Sequence, residues 1–374
     1  MKRIVFLSGT RADFGKLKSL IKIVDEHPGY EAHIFVTGMH LLKTYGYTLI
    51  EVERAGFSNI HTFSNHTSET SMDLTLAKTV EGFSAYVKQV EPDLIVIHGD
   101  RVEALAGAVV GSLNNILVAH IEGGEVSGTI DELIRHSTSK MSHIHFVSNE
   151  DAGRRLQQMG ELEESIYVIG SPDIDLMFSD DIPSFTEAKE HYQLDFDSYA
   201  LAMFHPVTTE IDKLADHALA FVEARKQSDR NYILVYPNND LGSSAIIHAY
   251  KTLQGHGRIR IFPSIRFEYF LSLLKNADFI IGNSSAGIRE APYYGIPTVN
   301  IGSRQQNRSL HKHILNTSYS VPAILSAIED TEGLEVSKKQ AFGSGQSAKQ
   351  FLESLETEEF WSISHQKQFK DIDG

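Results

Sequence analysis

Short apolar runs rich in β-branched and aromatic residues alternate with helical patterns along the chain. In the first half, the runs that predict strands are Ile4–Leu7, His33–Val36, Leu94–His98, Ile116–Ile121, His143–Val147 and Tyr167–Ile169. In the second half they are Tyr199–Phe204, Tyr232–Tyr236, Ile259–Phe262, Phe279–Gly282 and Thr298–Ile301. Helical patterns lie between them, at Lys16–Asp25, Leu74–Val90, Ile211–Arg225 and Phe267–Leu274. Such alternation is typical of parallel sheets covered on both faces, so each half is predicted to form a doubly wound α/β unit.

The two series of strands are separated by a polar stretch, residues 181–197, that has no strand pattern. We therefore predict an N-terminal Rossmann-like domain over residues 1–180 and a C-terminal one over residues 181–355. A Gly/Ser-rich break at Phe342–Lys349 precedes a last helical stretch. Residues 356–374 are predicted to form a C-terminal helix that packs on the N-terminal domain.

Glycine, hydroxyl and charged residues follow the predicted strands in both halves. The segments concerned are Ser8–Asp13, His98–Arg101, His120–Glu125, Phe204–Pro206, Tyr236–Asp240, Gly282–Gly287 and Gly302–Arg304. In an open parallel sheet, ligands bind in the crevice beyond the carboxyl ends of the strands. Two such units with polar strand ends predict one cleft between two domains.

The turn Gly282–Gly287, GNSSAG, lies between an apolar strand and a helix and is a candidate phosphate site. Backbone N–H groups at a helix N-terminus favour an anion, and Ser284 and Ser285 would add hydroxyl donors. Glu290, further along the helix, could then bind ribose hydroxyls. The alternative is an ordinary helix cap in which Ser284 satisfies the first helix donors.

Three carboxylates form a second candidate site. Asp100 and Glu122 follow successive strands, and Asp131 begins the next helical stretch after a Gly-rich turn. Carboxylates gathered in a cleft suit proton transfer. The alternative roles are helix capping and, for Asp100, pairing with its neighbour Arg101. His205, which ends a buried strand in the second half, could donate a proton or contact phosphate, or could simply cap the strand end.

Dinucleotide and metal motifs are missing from the sequence. The segment Gly9–Gly15, GTRADFG, lacks the G-x-G-x-x-G fingerprint, although Arg11 could pair with a phosphate. The histidine pairs His143-x-His145 and His311-x-His313 have no acidic partner at zinc-site spacing. We therefore expect neither a nicotinamide cofactor nor a metal.

Composition narrows the function classes further. The 374 residues carry 34 Lys and Arg against 49 Asp and Glu, a formal charge of −15, which argues against nucleic-acid and anionic-membrane partners. The chain has no cysteine, which excludes disulfides, zinc–thiolate sites and a cysteine nucleophile. The apolar stretch near the start is too short for a signal peptide, and no run approaches a membrane span, so we expect a cytoplasmic protein.

Several motifs together resemble the hydrolysing UDP-N-acetylglucosamine 2-epimerases of sialic acid biosynthesis. They are HGDR at His98–Arg101, HIEGGEVSGTID at His120–Asp131, FHPVTTE at Phe204–Glu210 and GNSSAGIRE at Gly282–Glu290. The resemblance implies two Rossmann-like domains facing across a cleft, in the glycosyltransferase-B arrangement, with UDP held mainly by the second. It also implies anti elimination of UDP to 2-acetamidoglucal, then hydration to N-acetylmannosamine, with no cofactor. A homodimer or a dimer of dimers is expected on the same ground.

The resemblance also assigns roles to individual positions. Asp100, Glu122 and Asp131 would be the acid/base residues, and His205 would assist the departure of UDP. The positions implied to hold UDP are Arg11, Ala12, Asn238, Ser264, Ser284, Ser285, Glu290 and Arg304, and those implied on the sugar side are Arg101 and Arg135. The family more often carries Asp-Ser where this chain has Glu132-Leu133, directly after Asp131.

Three alternatives remain open from the sequence. The same scaffold serves enzymes acting on UDP-2,4-diacetamido-2,4,6-trideoxy-glucose, as in the legionaminic acid pathway. A two-domain cleft of this kind also occurs in sugar transferases. A protein that senses a UDP-sugar without turning it over would need the serine turn but not the three acids.

Overall fold

The computed structural model of the chain describes residues 1–66, 71–127, 129–305, 313–334 and 336–371, so His311 lies outside the described residues. The chain divides into two compact units. The first comprises Met1–Glu125, Asp131–Asp180 and Phe342–Gly374, and the second comprises Val126–Ile130 and Asp181–Ala341. Residues 342–355, which the sequence placed in the second domain, therefore belong to the first unit.

The first unit is built on a parallel sheet, to which the described residues contribute seven strands. They are β1 Lys2–Ser8, β2 Tyr30–Val36, β3 Ile60–Thr62, β4 Leu94–His98, β5 Leu117–Ile121, β6 Ile144–Val147 and β7 Ile166–Val168. Their order is β3-β2-β1-β4-β5-β6-β7. The order reverses between β1 and β4, which makes this the doubly wound arrangement expected from the sequence.

Helices follow the strands of this unit in alternation. They are α1 Arg11–Asp25, α2 Leu49–Arg54, α3 Met72–Val90, α4 Val102–Leu113, α5 Ile130–Met141, α6 Glu150–Gln158 and α7 Pro172–Met177. Helix α1 illustrates why they form here, because Leu17, Leu20, Ile21 and Val24 recur at helical spacing and are fully buried. The Thr10 hydroxyl begins the helix by accepting the backbone N–H of Asp13 at 3.1 Å.

The second unit repeats the same plan. Its described strands are β8 Ala200–Met203, β9 Tyr232–Val235, β10 Ile259–Phe262, β11 Phe279–Gly282, β12 Thr298–Ile301 and β13 Ile314–Thr317. They form a parallel sheet in the order β10-β9-β8-β11-β12-β13, which reverses between β8 and β11. Its helices are α8 Phe185–Tyr192, α9 Leu214–Gln227, α10 Ser243–Lys251, α11 Phe267–Lys275, α12 Ala286–Arg289, α13 Ala291–Tyr294 and α14 Val321–Glu329. The prediction of two doubly wound α/β units is thus confirmed.

The chain's last helices, α15 Ser347–Leu355 and α16 Glu358–Ser362, pack in the first unit, and α16 is much shorter than the helix predicted over residues 356–374. Phe351, Leu355 and Phe360 are buried in the core formed around β1, β2 and α1. The Phe351 ring lies 4.8 Å from that of Phe146 on β6. This apolar contact explains why the segment that starts at 342 returns to the first sheet.

Two strands were not predicted, and both lie at sheet edges. In β3 all three residues are at least partly exposed, and β13 has one fully exposed residue among its four. Because an edge strand is short and half solvated, its sequence lacks the continuous apolar run that marks the central strands.

Among the described residues, no helix is long and apolar enough to cross a bilayer.

Candidate functional site

In the first unit, the predicted carboxylates lie beside the point where the strand order reverses. Asp100 follows β4, and Glu122 follows β5, the next strand in the sheet. Glu122 has a φ of 66°, in the left-handed region that non-glycine residues seldom adopt. A strained conformation of this kind persists when surrounding contacts hold it, and it is often found at functional sites.

The Glu122 carboxylate is buried among cationic partners from distant parts of the chain. Lys16 Nζ on α1 lies 3.3 Å from Glu122 Oε1, and His98 Nε2 at the end of β4 lies 3.3 Å from Oε2. The Ser171 hydroxyl donates to Oε1 at 2.5 Å. The side chain of Glu122 is only 5% exposed. Ion pairs so far from water hold the carboxylate in one orientation.

Each of these cations also faces a second carboxylate. His98 Nδ1 lies 3.4 Å from Asp13 Oδ1, and Lys16 Nζ lies 3.5 Å from Asp173 Oδ2. Burial acts to lower the pKa of His98, but Glu122 and Asp13 outweigh it and raise that pKa to about 9. The His98 imidazole is therefore cationic at neutral pH, and contact with it lowers the pKa of Asp13 despite burial.

Arg135 connects the other two predicted acids to this cluster. It is almost wholly buried on α5, and one of its Nη atoms donates to Asp100 Oδ2. Burial opposes the charge of Arg135, but Asp100, Glu125, Glu122 and Asp131 together raise its pKa above the ordinary value. The structure therefore brings all three predicted acids within the electrostatic reach of one arginine.

The other two predicted arginines of the first unit, Arg11 and Arg101, each form an ion pair with a glutamate. Arg11 begins α1 and pairs with Glu51 at 3.5 Å, with Ala12 next to it. Arg101 Nε lies 3.4 Å from the buried carboxylate of Glu103. Asp100 pairs with Arg135, because α5 places that guanidinium against the end of β4.

In the second unit, His205 follows β8 and faces the reversal point of that sheet. Asn283 lies directly after β11, the strand next to β8, and its side chain bonds the backbone of His205. Its Oδ1 accepts the backbone N–H of His205 at 2.6 Å, and its Nδ2 donates to the backbone carbonyl of His205 at 2.9 Å. The side chain of Asn283 thus fixes the backbone that carries the histidine.

The His205 ring has a defined proton arrangement. The backbone N–H of Asn238 donates to His205 Nδ1 at 3.0 Å. Because Nδ1 accepts, the ring proton of the neutral imidazole resides on Nε2. His205 is therefore set to donate a hydrogen bond through Nε2.

The helix that follows the serine turn, Gly282–Gly287, is shorter than the prediction assumed. Ser284 Oγ accepts the backbone N–H of Ala286 at 3.3 Å, but the N-cap residue of the helix is Ser285, whose side chain makes no capping bond. The following helix α12 ends at Arg289, and Glu290 joins it to α13 in a right-handed helical conformation. Glu290 is buried. The helix is short because Pro292, within the first turn of α13, lacks the N–H that would continue the ladder.

Of the other predicted UDP-side residues, Arg304 lies beside this turn, whereas Ser264 follows a different strand. Arg304 and Gln305 each donate to the backbone carbonyl of Asn283, at 3.2 and 2.9 Å. Ser264 lies between β10 and α11, on the other side of β8 in the sheet order. The Ser303 hydroxyl donates to Glu210, which Tyr319 also contacts at 2.8 Å. Asn283 is therefore the residue through which His205 and Arg304 are held together.

Sequence reasoning missed Lys16, His98, Asp13 and Asp173 as partners of the acids. One signal was present, since Lys16 sits within the apolar stripe of α1 and is buried there. Among the described residues, no cluster of histidine and acidic side chains could hold a metal ion. Histidines 143 and 145 serve other contacts, with the backbone of His365 and the carboxylate of Glu161.

Comparison with known proteins shows similarity to a family of nucleotide-sugar 2-epimerases. A family model described as UDP-N-acetylglucosamine 2-epimerase matches residues 22–356. The chain is 48% identical over 376 residues to a UDP-N-acetylglucosamine 2-epimerase of Neisseria meningitidis serogroup B, with 100% of both chains covered. It is 31% identical over 362 residues to the UDP-N,N'-diacetylbacillosamine 2-epimerase (hydrolyzing) of Legionella pneumophila, covering 96% of each.

A solved structure shows the same fold. The UDP-GlcNAc 2-epimerase of Methanocaldococcus jannaschii, in complex with UDP-GlcNAc and UDP, superimposes with a TM-score of 0.80 at 21% identity. The match covers 95% of this chain and 99% of that one. At this level of identity the likeness supports the fold.

Proposed function

The chain belongs to the UDP-N-acetylglucosamine 2-epimerase family, and we propose that it converts UDP-N-acetylglucosamine and water to N-acetylmannosamine and UDP. The observation that carries the proposal is the buried Glu122, held between Lys16 and His98 beside the Asp100–Arg135 pair. Paired acids and cations at a strand end suit proton transfer next to an anionic leaving group. The proposed role is a step in sialic acid or surface polysaccharide biosynthesis.

In the first step, a carboxylate removes the proton from C2 of the sugar while the C1–O bond to UDP breaks on the opposite face. The electron pair of the C2–H bond forms the C1=C2 double bond, and the C1–O pair leaves with UDP. We assign this proton transfer to the set Asp100, Glu122 and Asp131. Arg135 interacts electrostatically with all three, so the proposal assigns the proton transfers to the set and not to a single member.

In the second step, water adds to the 2-acetamidoglucal. One of the three acids takes a proton as the hydroxyl bonds to C1, and another returns a proton to C2 on the face opposite to the one it left. The product is free N-acetylmannosamine, with C2 inverted. His98, which Glu122 and Asp13 hold cationic, and Lys16 both lie against Glu122 and offset its negative charge when the carboxylate is ionised.

The second unit is the proposed UDP-binding unit. His205 would donate through Nε2 to the departing diphosphate, because Asn238 occupies Nδ1. Arg304 supplies a cation beside the serine turn, and the hydroxyls of Ser284 and Ser285 supply donors. Glu290 is proposed to accept ribose hydroxyls.

A second substrate is favoured by one observation, the 31% identity to a hydrolysing diacetylbacillosamine epimerase. Incubation with UDP-N-acetylglucosamine and, separately, with UDP-2,4-diacetamido-2,4,6-trideoxy-glucose in D2O separates the two. ¹H and ³¹P NMR should show UDP and a free 2-epimerised sugar with deuterium at C2, without an added cofactor. The sugar turned over faster identifies the substrate.

Other outcomes of that incubation would contradict the proposal. Recovery of a UDP-linked epimer alone would indicate a reversible, non-hydrolysing enzyme. UDP release that depends on an added sugar acceptor would indicate a transferase, and tight binding without any product would indicate a sensor. Asp151→Asn is a matched control for substitutions of the three acids, since Asp151 is an exposed carboxylate of α6 that pairs with Arg154.

Replacing Asn283 by alanine should destabilise the second unit and weaken UDP binding together. The change removes both hydrogen bonds to the buried backbone of His205, and we expect a loss of about 2–4 kcal/mol in the free energy of unfolding. Because the backbone that carries His205 loses its support, while Arg304 can still donate to the carbonyl of residue 283, the Kd for UDP should rise at least about tenfold. Urea unfolding and calorimetric titration with UDP measure the two effects.

Asn231→Ala provides the comparison for this variant. Asn231 lies in the same unit and donates one side-chain bond, to the backbone carbonyl of Ser198 near the surface. Its loss should cost about 1 kcal/mol and leave the Kd for UDP unchanged. Equal effects of the two substitutions on UDP binding would contradict the role given to Asn283.

A further inference from the structure

The C-terminal tail, residues 363–371, contacts the end of the helix that carries two of the proposed site residues. Lys367 Nζ donates to the backbone carbonyls of Ser139 and Ser142, at 3.0 and 2.5 Å. These carbonyls belong to the last turn of α5 and to the residue after its end at Met141. A cation is favourable at the carboxyl end of a helix, and Lys367 adds a second donor to the Ser139 carbonyl, which also accepts the N–H of Ser142 at 3.0 Å.

Lys367 is itself held by a buried carboxylate. Glu161, whose side chain is 1% exposed, lies 2.5 Å from Lys367 Nζ through Oε2. The same carboxylate contacts Lys140 and the buried ring of His145, each at 2.9 Å. Burial opposes its charge, but His145 and Lys367 lower the pKa of Glu161 to about 2. The tail is therefore fixed to β6 and α5 by charge as well as by hydrogen bonds.

The anchored end of α5 leads directly to the proposed site. Asp131, Arg135 and Ser139 are spaced four residues apart, so they lie along one face of the helix. Ser139 Oγ lies 2.9 Å from His120 Nδ1, and His120 Nε2 lies 2.7 Å from the carbonyl of Gly99, next to Asp100. The carbonyl can only accept, so Nε2 carries the proton and the Ser139 hydroxyl donates to Nδ1.

His120 keeps this arrangement at neutral pH. Its ring is fully buried, and burial lowers its pKa to about 3. The neutral ring thus links α5 to the backbone of the Asp100 turn, while Lys367 holds the other side of Ser139. Both contacts act on the residue one turn beyond Arg135.

We propose that Lys367 is a positioning residue, which fixes α5 so that Arg135 and Asp131 meet Asp100 in the geometry required for turnover. It touches neither substrate nor reacting atoms, and its effect on rate rests on the proposed function. Small displacements of α5 alter the acid set because Arg135 pairs directly with Asp100. The tail thereby becomes part of the catalytic unit although its residues lie far along the chain from the three acids.

Lys367→Met and Lys367→Gln test the proposal, with Lys367→Arg as the conservative variant. Both neutral variants should lower kcat about tenfold or more while the Kd for UDP stays within about twofold, because α5 carries part of the proposed acid set and the proposed UDP contacts lie mainly in the second unit. Arginine should restore most of the rate, since it keeps a cation with several donors. Glutamine keeps an N–H donor, so it decides the question if methionine prevents folding.

Lys370→Met is the matched control, because Lys370 is exposed in the same tail and its described contact is a backbone N–H to Gly160. Hydrogen exchange of peptides covering 131–141 provides a readout without turnover, and it should be about tenfold faster in Lys367→Met than in Lys370→Met. An unchanged kcat or unchanged exchange would overturn the proposal. A wild-type protein that turns over no UDP-sugar would contradict the proposed function instead, and exchange would still decide the role of Lys367.

Discussion

Replacing Glu122 by glutamine should lower kcat by about 10²- to 10⁴-fold, the range typical of losing an acid/base group. Glutamine is nearly isosteric with glutamate but cannot accept the proton that the carboxylate takes. The Kd for UDP should remain within about twofold, because the proposed UDP contacts lie mainly in the second unit. Initial rates of UDP release and titration with UDP measure the two quantities.

The variant is expected to fold, which keeps the test interpretable. After the substitution, Lys16 still faces Asp173 and His98 still faces Asp13, so neither cation is left without a carboxylate. Asp151→Asn should retain wild-type kcat, as that acid is exposed on α6. A folded Glu122→Gln protein with near-wild-type turnover would remove Glu122 from the proposed acid set.

The sequence was sufficient to place the acids but not their partners. Asp100 and Glu122 stand at strand ends that can be predicted from apolar runs, and parallel strands end at one edge of a sheet. Their cations are fixed by tertiary structure, since β4 lies between β1 and β5 in the sheet. Lys16 reaches Glu122 across 106 residues of chain, and neither residue carries a local signal of the other.

The tail shows a different limit of sequence reasoning. Residues 342–355 follow the second domain along the chain, and their helical pattern alone does not say which core they join. The answer depends on which unit offers a complementary apolar surface for Phe351, and the first unit offers the ring of Phe146. Lys367 is ordinary in sequence, and its role follows only from the buried Glu161 that it meets.

The net negative charge of the chain does not describe the charge distribution around the candidate site. A net charge of −15 cannot attract a diphosphate from a distance. Where the proposed chemistry takes place, however, the carboxylates are interleaved with Lys16, His98 and Arg135, all of them buried. In this low-dielectric setting the nearby cations outweigh the distant acidic surface, which is screened by salt.

Gly282→Ala should be among the most destabilising single changes in the second unit. Gly282 ends β11 with a φ of 131°, and a Cβ there would lie 1.8 Å from the backbone carbonyl oxygen of Met203 on the neighbouring strand. Backbone atoms cannot move aside without breaking the pairing of β8 with β11. We expect a loss of at least about 4 kcal/mol in the free energy of unfolding, together with loss of UDP binding at the adjacent serine turn.

Substitutions of two other glycines in the same unit separate the effect of the steric clash from the effect of the backbone conformation. Gly255 has a φ of 80° with open space around its Cβ position, so Gly255→Ala should cost only the about 1–2 kcal/mol of a left-handed backbone. Gly257 has neither a left-handed φ nor a neighbour, and Gly257→Ala should change stability by less than about 0.5 kcal/mol. Urea unfolding of the three variants should rank them in that order. Similar losses for Gly282→Ala and Gly255→Ala would show that β8 and β11 do not approach each other as closely as this contact requires, and the placement of His205 beside Asn283 would then fail with it.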